Sequence, residues 1–169
     1  MDRKEVKHFL EKIVVDVGVG RLGQAPNFEE KTLVQVSRDL AAITGQKAQV
    51  RKAMKSIAGF KLREGQIVGL RVTLRRDKMV DFFERLITIV LPRVRDFNGL
   101  EQTNVDQGGT LNTGIREQFV FPEIVPEQSP VSFSLGINIV PRVKDRAASL
   151  AMFRKLGVPL KKDGPKAKK

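Results

Sequence analysis

The sequence predicts an α+β fold in which an antiparallel or mixed sheet carries helices on one face and leaves the other face open. Several segments alternate apolar and polar residues, as half-buried strands do, and others repeat apolar residues at helical spacing. No segment reads as the continuous apolar run of a buried parallel strand. With 169 residues, 41% of them hydrophobic, we expect one domain over residues 1–157, followed by a basic, flexible tail over 158–169.

The first strand is predicted from Lys12 to Val19, where KIVVDVGV alternates between apolar and mixed positions. A glycine-rich turn follows, and Asn27 with Glu30 has the spacing of a capping box at the start of a helix. Gly45 is expected to end this helix. The apolar residues at helical spacing are Phe28, Leu33, Val36, Leu40 and Ile43.

The segment from 46 to 66 holds six cations and few bulky apolar residues, so it predicts a short strand and then a long basic loop, at 47–65. A second alternating segment, IVGLRVTLR at 67–75, predicts a strand with one apolar and one basic face. Its apolar face consists of Val68, Leu70, Val72 and Leu74, and its polar face of Gly69, Arg71, Thr73 and Arg75.

A second helix is predicted to be capped by Asp77 and stopped by Pro92. Its apolar residues form a wide stripe along one side of the helix. The residues of this stripe are Met79, Phe82, Phe83, Leu86, Ile87 and Val90.

The last part of the chain predicts two strands, around 115–121 and 131–140, and in the second of them apolar residues alternate with small or polar ones. Asp145 is then expected to open a final helix that ends near Gly157.

Composition points to a polyanionic partner, because 31 Lys and Arg stand against 19 Asp and Glu and give a net charge of +12. Cysteine is absent and His8 is the only histidine, in a stretch that we expect to be frayed. Thiolate sites, multi-histidine metal sites and a Ser-His-Asp mechanism are therefore disfavoured. We expect no enzyme, no metal and no cofactor. No apolar run approaches a membrane span and no signal peptide is evident, so we expect a cytoplasmic protein.

The turn GVGRLG, with Gly18, Gly20 and Gly23, fits the dinucleotide fingerprint by its letters. Its context does not fit, because residues 25–27 delay the helix, and Asp39 lies within that helix instead of ending a second strand. A nucleotide-binding enzyme that uses this turn is the alternative hypothesis. A basic adaptor for membrane surfaces or acidic proteins is a third.

The basic loop combines clustered cations with glycine breaks and one large aromatic residue, Phe60. Lysine and arginine suit phosphates and Phe60 suits base stacking, so the loop predicts RNA contact. The alternative is that Phe60 packs in the core and the charges are merely solvated. The candidate residues are Arg51, Lys52, Lys55, Ser56, Gly59, Phe60, Lys61 and Arg63.

The polar side of the second strand offers another RNA-binding face, because Arg71, Thr73 and Arg75 lie on it and Asp16 lies on the matching face of the first strand. Such a face can dock a structured RNA by shape and 2′-hydroxyl contacts. An ordinary solvated sheet face is the alternative.

Three long runs resemble one family across residues 12–155: DLAAITGQKAQVRKAMKSIAGFKLREGQIVGLRVTLR, MVDFFERLITIVLPRVRDFNGL and GIREQFVFPEI. They are similar to ribosomal protein L5, the family that binds 5S rRNA. The resemblance implies that Gln46, Thr73 and Arg75 match family positions of 5S rRNA recognition. Asp16 stands where the family commonly has Asn. The candidate 5S rRNA-binding residues are Asp16, Gln46, Lys47, Arg71, Thr73 and Arg75.

The same resemblance implies partners that composition alone does not. The loop at 55–65 matches the family loop that projects toward the elbow of peptidyl-site tRNA. The family sits in the central protuberance of the large subunit, touches 23S rRNA and neighbouring proteins, and bridges to a small-subunit head protein. Fewer residues precede the first strand than is usual in the family, so we expect the contacts of that region to be absent or replaced, in part by the lysine-rich tail.

Overall fold

The computed structural model describes residues 2–20, 22, 28–60 and 62–161. Five strands form one antiparallel sheet in the order β2-β3-β1-β5-β4, so the predicted α+β class is confirmed. The elements in chain order are α1 (Arg3–Phe9), β1 (Leu10–Gly18), α2 (Leu33–Thr44), β2 (Gln49–Lys52), β3 (Ile67–Leu74), α3 (Arg76–Arg85), α4 (Leu91–Arg93), β4 (Leu111–Ile115), β5 (Leu135–Pro141) and α5 (Arg146–Lys155).

The chain divides into two compact units. Within the described residues, the first unit consists of 1–13, 74–113 and 137–169, and the second of 14–73 and 114–136. The single domain expected over 1–157 stays a prediction. Of the predicted flexible tail, residues 162–169 lie outside the described part of the chain.

The alternating faces predicted for the first two long strands are confirmed. In β1, Ile13, Val15 and Val17 are buried. In β3, Leu70 and Val72 are buried, whereas Arg71 between them is exposed. The faces agree because a strand turns successive side chains to opposite sides. The first strand begins at Leu10, two residues earlier than expected.

Helix α2 follows a π-helical turn at Phe28–Thr32. Val36, Leu40 and Ile43 form its buried face. Gly45 ends the helix in the left-handed conformation, with φ of 65°, and its N–H donates to the Ala41 carbonyl at 2.8 Å. The predicted end is therefore confirmed. The predicted capping box begins at Asn27, which lies outside the described residues.

The second predicted helix is present, but Asp77 does not cap it. The chain enters α3 at Arg76, one residue earlier, so Arg75 is the N-cap residue and Asp77 lies in the first turn. After α3 a π-helical turn at Leu86–Val90 leads into α4. Pro92 lies inside this last turn, so the helical segment ends one residue after it.

The prediction of a strand at 115–121 was wrong, because β4 ends at Ile115 and the chain then forms a 3₁₀ turn at Gln118–Val120. The side chain of Gln118 is fully buried. Its Nε2 donates to the Val131 carbonyl at 2.8 Å, and its Oε1 accepts from the Phe133 N–H at 2.9 Å. A side-chain amide thus takes the place of a neighbouring strand, and β5 starts only at Leu135 instead of near 131.

The N-terminal residues that we expected to fray form α1. Asp2 caps this helix by accepting from a backbone N–H, and Val6 and Phe9 are buried. The Phe9 ring packs edge-on against Phe153, with 5.2 Å between the ring centroids. Burial of these apolar groups holds the helix in place, so His8 lies in a regular element.

We predict that Gln118→Ala lowers the free energy of unfolding by about 1–3 kcal/mol, because the buried N–H of Phe133 loses its acceptor. Urea unfolding measures this change. Gln128→Ala, at an exposed position, is the control and should change stability by less than about 0.5 kcal/mol. Equal effects of the two variants would contradict the role given to Gln118.

A second prediction concerns Asp77, whose pKa lies below its ordinary value because the Lys7 ammonium donates to its carboxylate at 2.7 Å. A lowered carboxyl pKa stabilises the fold above the ordinary value, and this stabilisation is lost as pH falls through the lowered one. Lys7→Ala should raise the Asp77 pKa, as followed by NMR titration of the carboxyl carbon. Lys4→Ala, on the same helix, should leave it unchanged.

Candidate nucleic-acid interface

The predicted basic loop is the far part of an extended hairpin. β2 pairs antiparallel with β3, with Gln49 opposite Arg71. Backbone bonds continue past the strands, because the N–H of Ala53 donates to the Gln66 carbonyl at 2.8 Å. Ile57 and Leu62 then exchange bonds of 2.9 and 3.1 Å. The hairpin is therefore built by backbone pairing to its tip, a 3₁₀ turn at Ala58–Phe60.

Side-chain hydrogen bonds to the backbone of the return arm close the hairpin locally. The Ser56 hydroxyl accepts from the N–H of Glu64 at 2.9 Å, and the Gln66 Oε1 accepts from the N–H of Arg63 at 3.1 Å. Gly65 has φ of 80°, a conformation that favours glycine. The hydroxyl of Ser56, which was predicted to contact RNA, thus already accepts a hydrogen bond from within the hairpin.

The described cations of the hairpin are exposed to solvent and are not held in ion pairs with described residues. Arg51, Lys52, Lys55 and Arg63 are all exposed, and none forms an ion pair with a described residue. Lys61, also predicted for this site, lies outside the described residues. Between 46 and 66 the sequence contains only one acid, Glu64. The hairpin therefore presents uncompensated positive charge to solvent.

Exposed large apolar side chains accompany these charges, and Phe60 and Met54 are the most exposed of them. Phe60 is 79% exposed and Met54 is 88% exposed, so the alternative in which Phe60 packs in the core is wrong. Sequence reasoning missed Met54, although its position among the cations was the same signal that singled out Phe60. Large apolar groups held out in water are typical of binding surfaces.

Among the sheet residues, the structure brings Gln46 and Thr73 together. The Gln46 side chain, just after α2, donates its Nε2 to the Thr73 carbonyl at 3.3 Å. Lys47 and Arg71 are exposed, and Thr73 is half-buried. The second unit therefore carries amide, hydroxyl and cationic groups beside the root of the hairpin.

Asp16 and Arg75 have different surroundings. Asp16 is half-buried, and a Cβ at Gly136 would lie 2.9 Å from its Oδ1, so the glycine makes room for the carboxylate. Arg75 belongs to the first unit, where its Nη1 lies 3.6 Å from Glu11 Oε1. This pair is exposed, so it contributes little stability and leaves the guanidinium open to another anion.

Among the described residues, those suggested for a dinucleotide site do not assemble one. Gly18 and Gly20 are described, but Arg21 and Gly23 are outside the described part. Asp39 is buried within α2 and accepts from the Ser129 hydroxyl at 2.7 Å. Its carboxylate therefore fastens a loop of the same unit and does not face a ligand.

Other site classes find no support in the described ranges. No group of three or more potential metal-ligating side chains occurs there. Nor does any helix in that part of the chain have the length and apolar character needed to span a bilayer.

Comparison with known families gives two matches that follow each other along the chain. Residues 7–63 match the model of ribosomal protein L5, and residues 67–160 match the model of the C-terminal part of the same family. The boundary between the two matches falls in the return arm of the hairpin.

Individual relatives are similar over nearly the whole chain. The large ribosomal subunit protein uL5 of Chlorobaculum tepidum is 47% identical over 90% of this chain and 81% of its own length. The protein of the same name from Rubrobacter xylanophilus is 47% identical over 90% of this chain and 82% of its own. That of Chlorobium luteolum is 42% identical, with 90% and 77% covered.

The exposure of Phe60 leads to a stability prediction. Phe60→Ala should change the free energy of unfolding by less than about 0.5 kcal/mol, because an exposed side chain contributes little packing. Phe82→Ala, at a buried position of α3, should cost about 3–5 kcal/mol. Urea unfolding of both variants tests the contrast. A large loss of unfolding free energy for Phe60→Ala would mean that Phe60 packs in the core.

Proposed function

The chain belongs to the ribosomal protein L5 family, and from this premise we propose that it binds 5S rRNA and helps attach it to the central protuberance of the large subunit. Membership of this family makes it a ribosomal protein of the large subunit. It is a non-enzymatic component of the translation machinery and resides on the cytoplasmic ribosome of bacteria. The enzyme hypothesis built on GVGRLG is therefore wrong.

The proposal is supported above all by the hairpin, whose described cations are exposed and form no ion pair with a described residue. A protein that neutralises phosphates releases counterions, so a net charge of +12 supplies affinity for any RNA. Charge alone carries no specificity, because phosphates are the same in every sequence. Specific binding needs polar groups held at fixed positions.

The polar groups beside the hairpin root meet this need. The bond from Gln46 to Thr73 fixes the side-chain amide against β3, and Arg71 is exposed on the same strand. An ordered set of donors and hydroxyls on a rigid strand can match the minor groove of a structured RNA through its 2′-hydroxyls. Thr73 and Gln46 are thus proposed to select 5S rRNA. Lys47 and Arg75 are proposed to contact its backbone.

The hairpin tip is proposed to contact peptidyl-site tRNA and rRNA. Phe60 can stack on an unpaired base, and base stacking on an aromatic ring contributes about 1–3 kcal/mol per base. Arg51, Lys52, Lys55 and Arg63 would hold the nearby phosphates. The wider contacts proposed for the chain are those with 23S rRNA, neighbouring proteins of the central protuberance and a small-subunit head protein.

The decisive experiment is the affinity of the purified protein for 5S rRNA and for a size-matched unrelated RNA over a range of salt concentrations. A preference for 5S rRNA that persists at physiological salt is expected, because shape recognition is screened less than phosphate attraction. Equal binding that disappears with salt for both RNAs would overturn the proposed recognition.

Thr73→Ala combined with Arg75→Ala is expected to reduce 5S rRNA affinity more than Lys168→Ala combined with Lys169→Ala. The tail pair removes two charges, and the Thr73 and Arg75 pair removes only one, so electrostatics alone predicts the opposite order. A larger loss for the tail pair would mean that Thr73 and Arg75 contribute to binding only through charge.

A further inference from the structure

A small basic cavity lies in the first unit, where β3 ends, β1 begins and β5 has just ended. Its volume is about 260 Å³. The antiparallel order of these strands brings their ends together, and the buried side chain of Met79 supplies an apolar wall. The lining residues are Lys7, Glu11, Arg75, Arg76, Met79 and Arg142.

The charges around this cavity do not balance. Lys7 pairs with Asp77 at 2.7 Å, and Arg75 lies 3.6 Å from Glu11. The side chains of Arg76 and Arg142 are exposed and have no ion pair or hydrogen bond with a described residue. The Arg142 guanidinium therefore remains without a counter-charge, and Arg76 has near it only the Asp77 carboxylate, which Lys7 already pairs with.

Arg76 is also held in an unusual backbone conformation. Its φ is 56°, in the left-handed region that residues with a side chain rarely adopt. Because its side chain is exposed, burial of that side chain does not compensate for the strain. An outlier of this kind beside a charged cavity is typical of a residue kept for binding.

We propose that this cavity binds a phosphate group of the RNA backbone, with Arg76 and Arg142 as the principal donors. The planar guanidinium group matches the geometry of phosphate oxygens and bonds them in pairs. The volume is below the range of about 300–1,000 Å³ typical of sites for whole small molecules. A phosphate with part of its sugar fits this size better than a complete nucleotide cofactor does.

Two further features favour an anion here. Arg75 is the N-cap residue of the ten-residue helix α3 and makes no side-chain cap hydrogen bond, and the start of a helix favours a nearby negative charge. The exposed pair between Arg75 and Glu11 can also open, because such pairs contribute little. Arg75 then becomes a third donor. The assignment of the anion to RNA rests on the function proposed above.

The test is the double variant Arg76→Gly with Arg142→Ala, compared with Arg93→Ala and Arg154→Ala combined. The control removes two exposed arginines from the same unit that do not line the cavity. The cavity variant is expected to lose about tenfold in 5S rRNA affinity and to lower the salt slope by about one unit for the lost phosphate. The control should lose less than about twofold. Equal losses would overturn the proposal even where the preference for 5S rRNA persists.

Arg76→Gly alone separates a lost contact from a damaged fold. Glycine adopts positive φ without steric cost. The Tm of the Arg76→Gly variant should therefore be no lower than that of the parent, while its RNA affinity should fall. A lower Tm together with weaker binding would mean that Arg76 is structural.

A titration with inorganic phosphate judges the cavity independently of 5S rRNA. The amide NMR signals of positions 75, 76 and 142 should shift on phosphate addition in the parent, and the signals of the same positions should not shift in the double variant. A parent without preference for 5S rRNA would overturn the proposed function, and absence of these shifts would then overturn the cavity as well. Phosphate-induced shifts without any effect of the double variant on RNA binding would overturn the assignment to RNA.

Discussion

The strict alternation of apolar and polar residues along β1 and β3 is the constraint on which the rest depends. Since a shift of one residue would move every side chain to the other face, burial of Ile13, Val15 and Leu70 also fixes which polar groups stay on the opposite face. The position of Arg71 and Thr73 therefore follows from the core. In these strands the proposed RNA-binding face and the core are two sides of the same backbone pattern.

The hairpin follows from the same backbone pairing. Its exposed cations and its Phe60 gain nothing from burial, so main-chain bonds continuing from β2 and β3 hold them in place. This construction keeps the charges apart from the core. It explains how a segment with few bulky apolar residues continues as a hydrogen-bonded hairpin as far as Ala58–Phe60.

Family membership and geometry answer different questions about this protein. The similarity to ribosomal protein L5 identifies a component of the large subunit. The structure adds which side chains are exposed, and these include Met54, Arg76 and Arg142. The two arginines lie outside the residues singled out from the sequence, because only the meeting of strand ends brings them to one cavity.

The sequence by itself determined the α+β class, the faces of β1 and β3 and the end of α2 at Gly45, because periodicity and glycine conformation are local properties. It also located the basic hairpin. Only the tertiary structure decided that 115–121 is not a strand. The buried side-chain amide of Gln118 there hydrogen-bonds to the backbone of Val131 and Phe133, and these bonds take the place of strand pairing. The exposure of Phe60 was likewise open until then, because burial depends on which distant residues pack against a side chain.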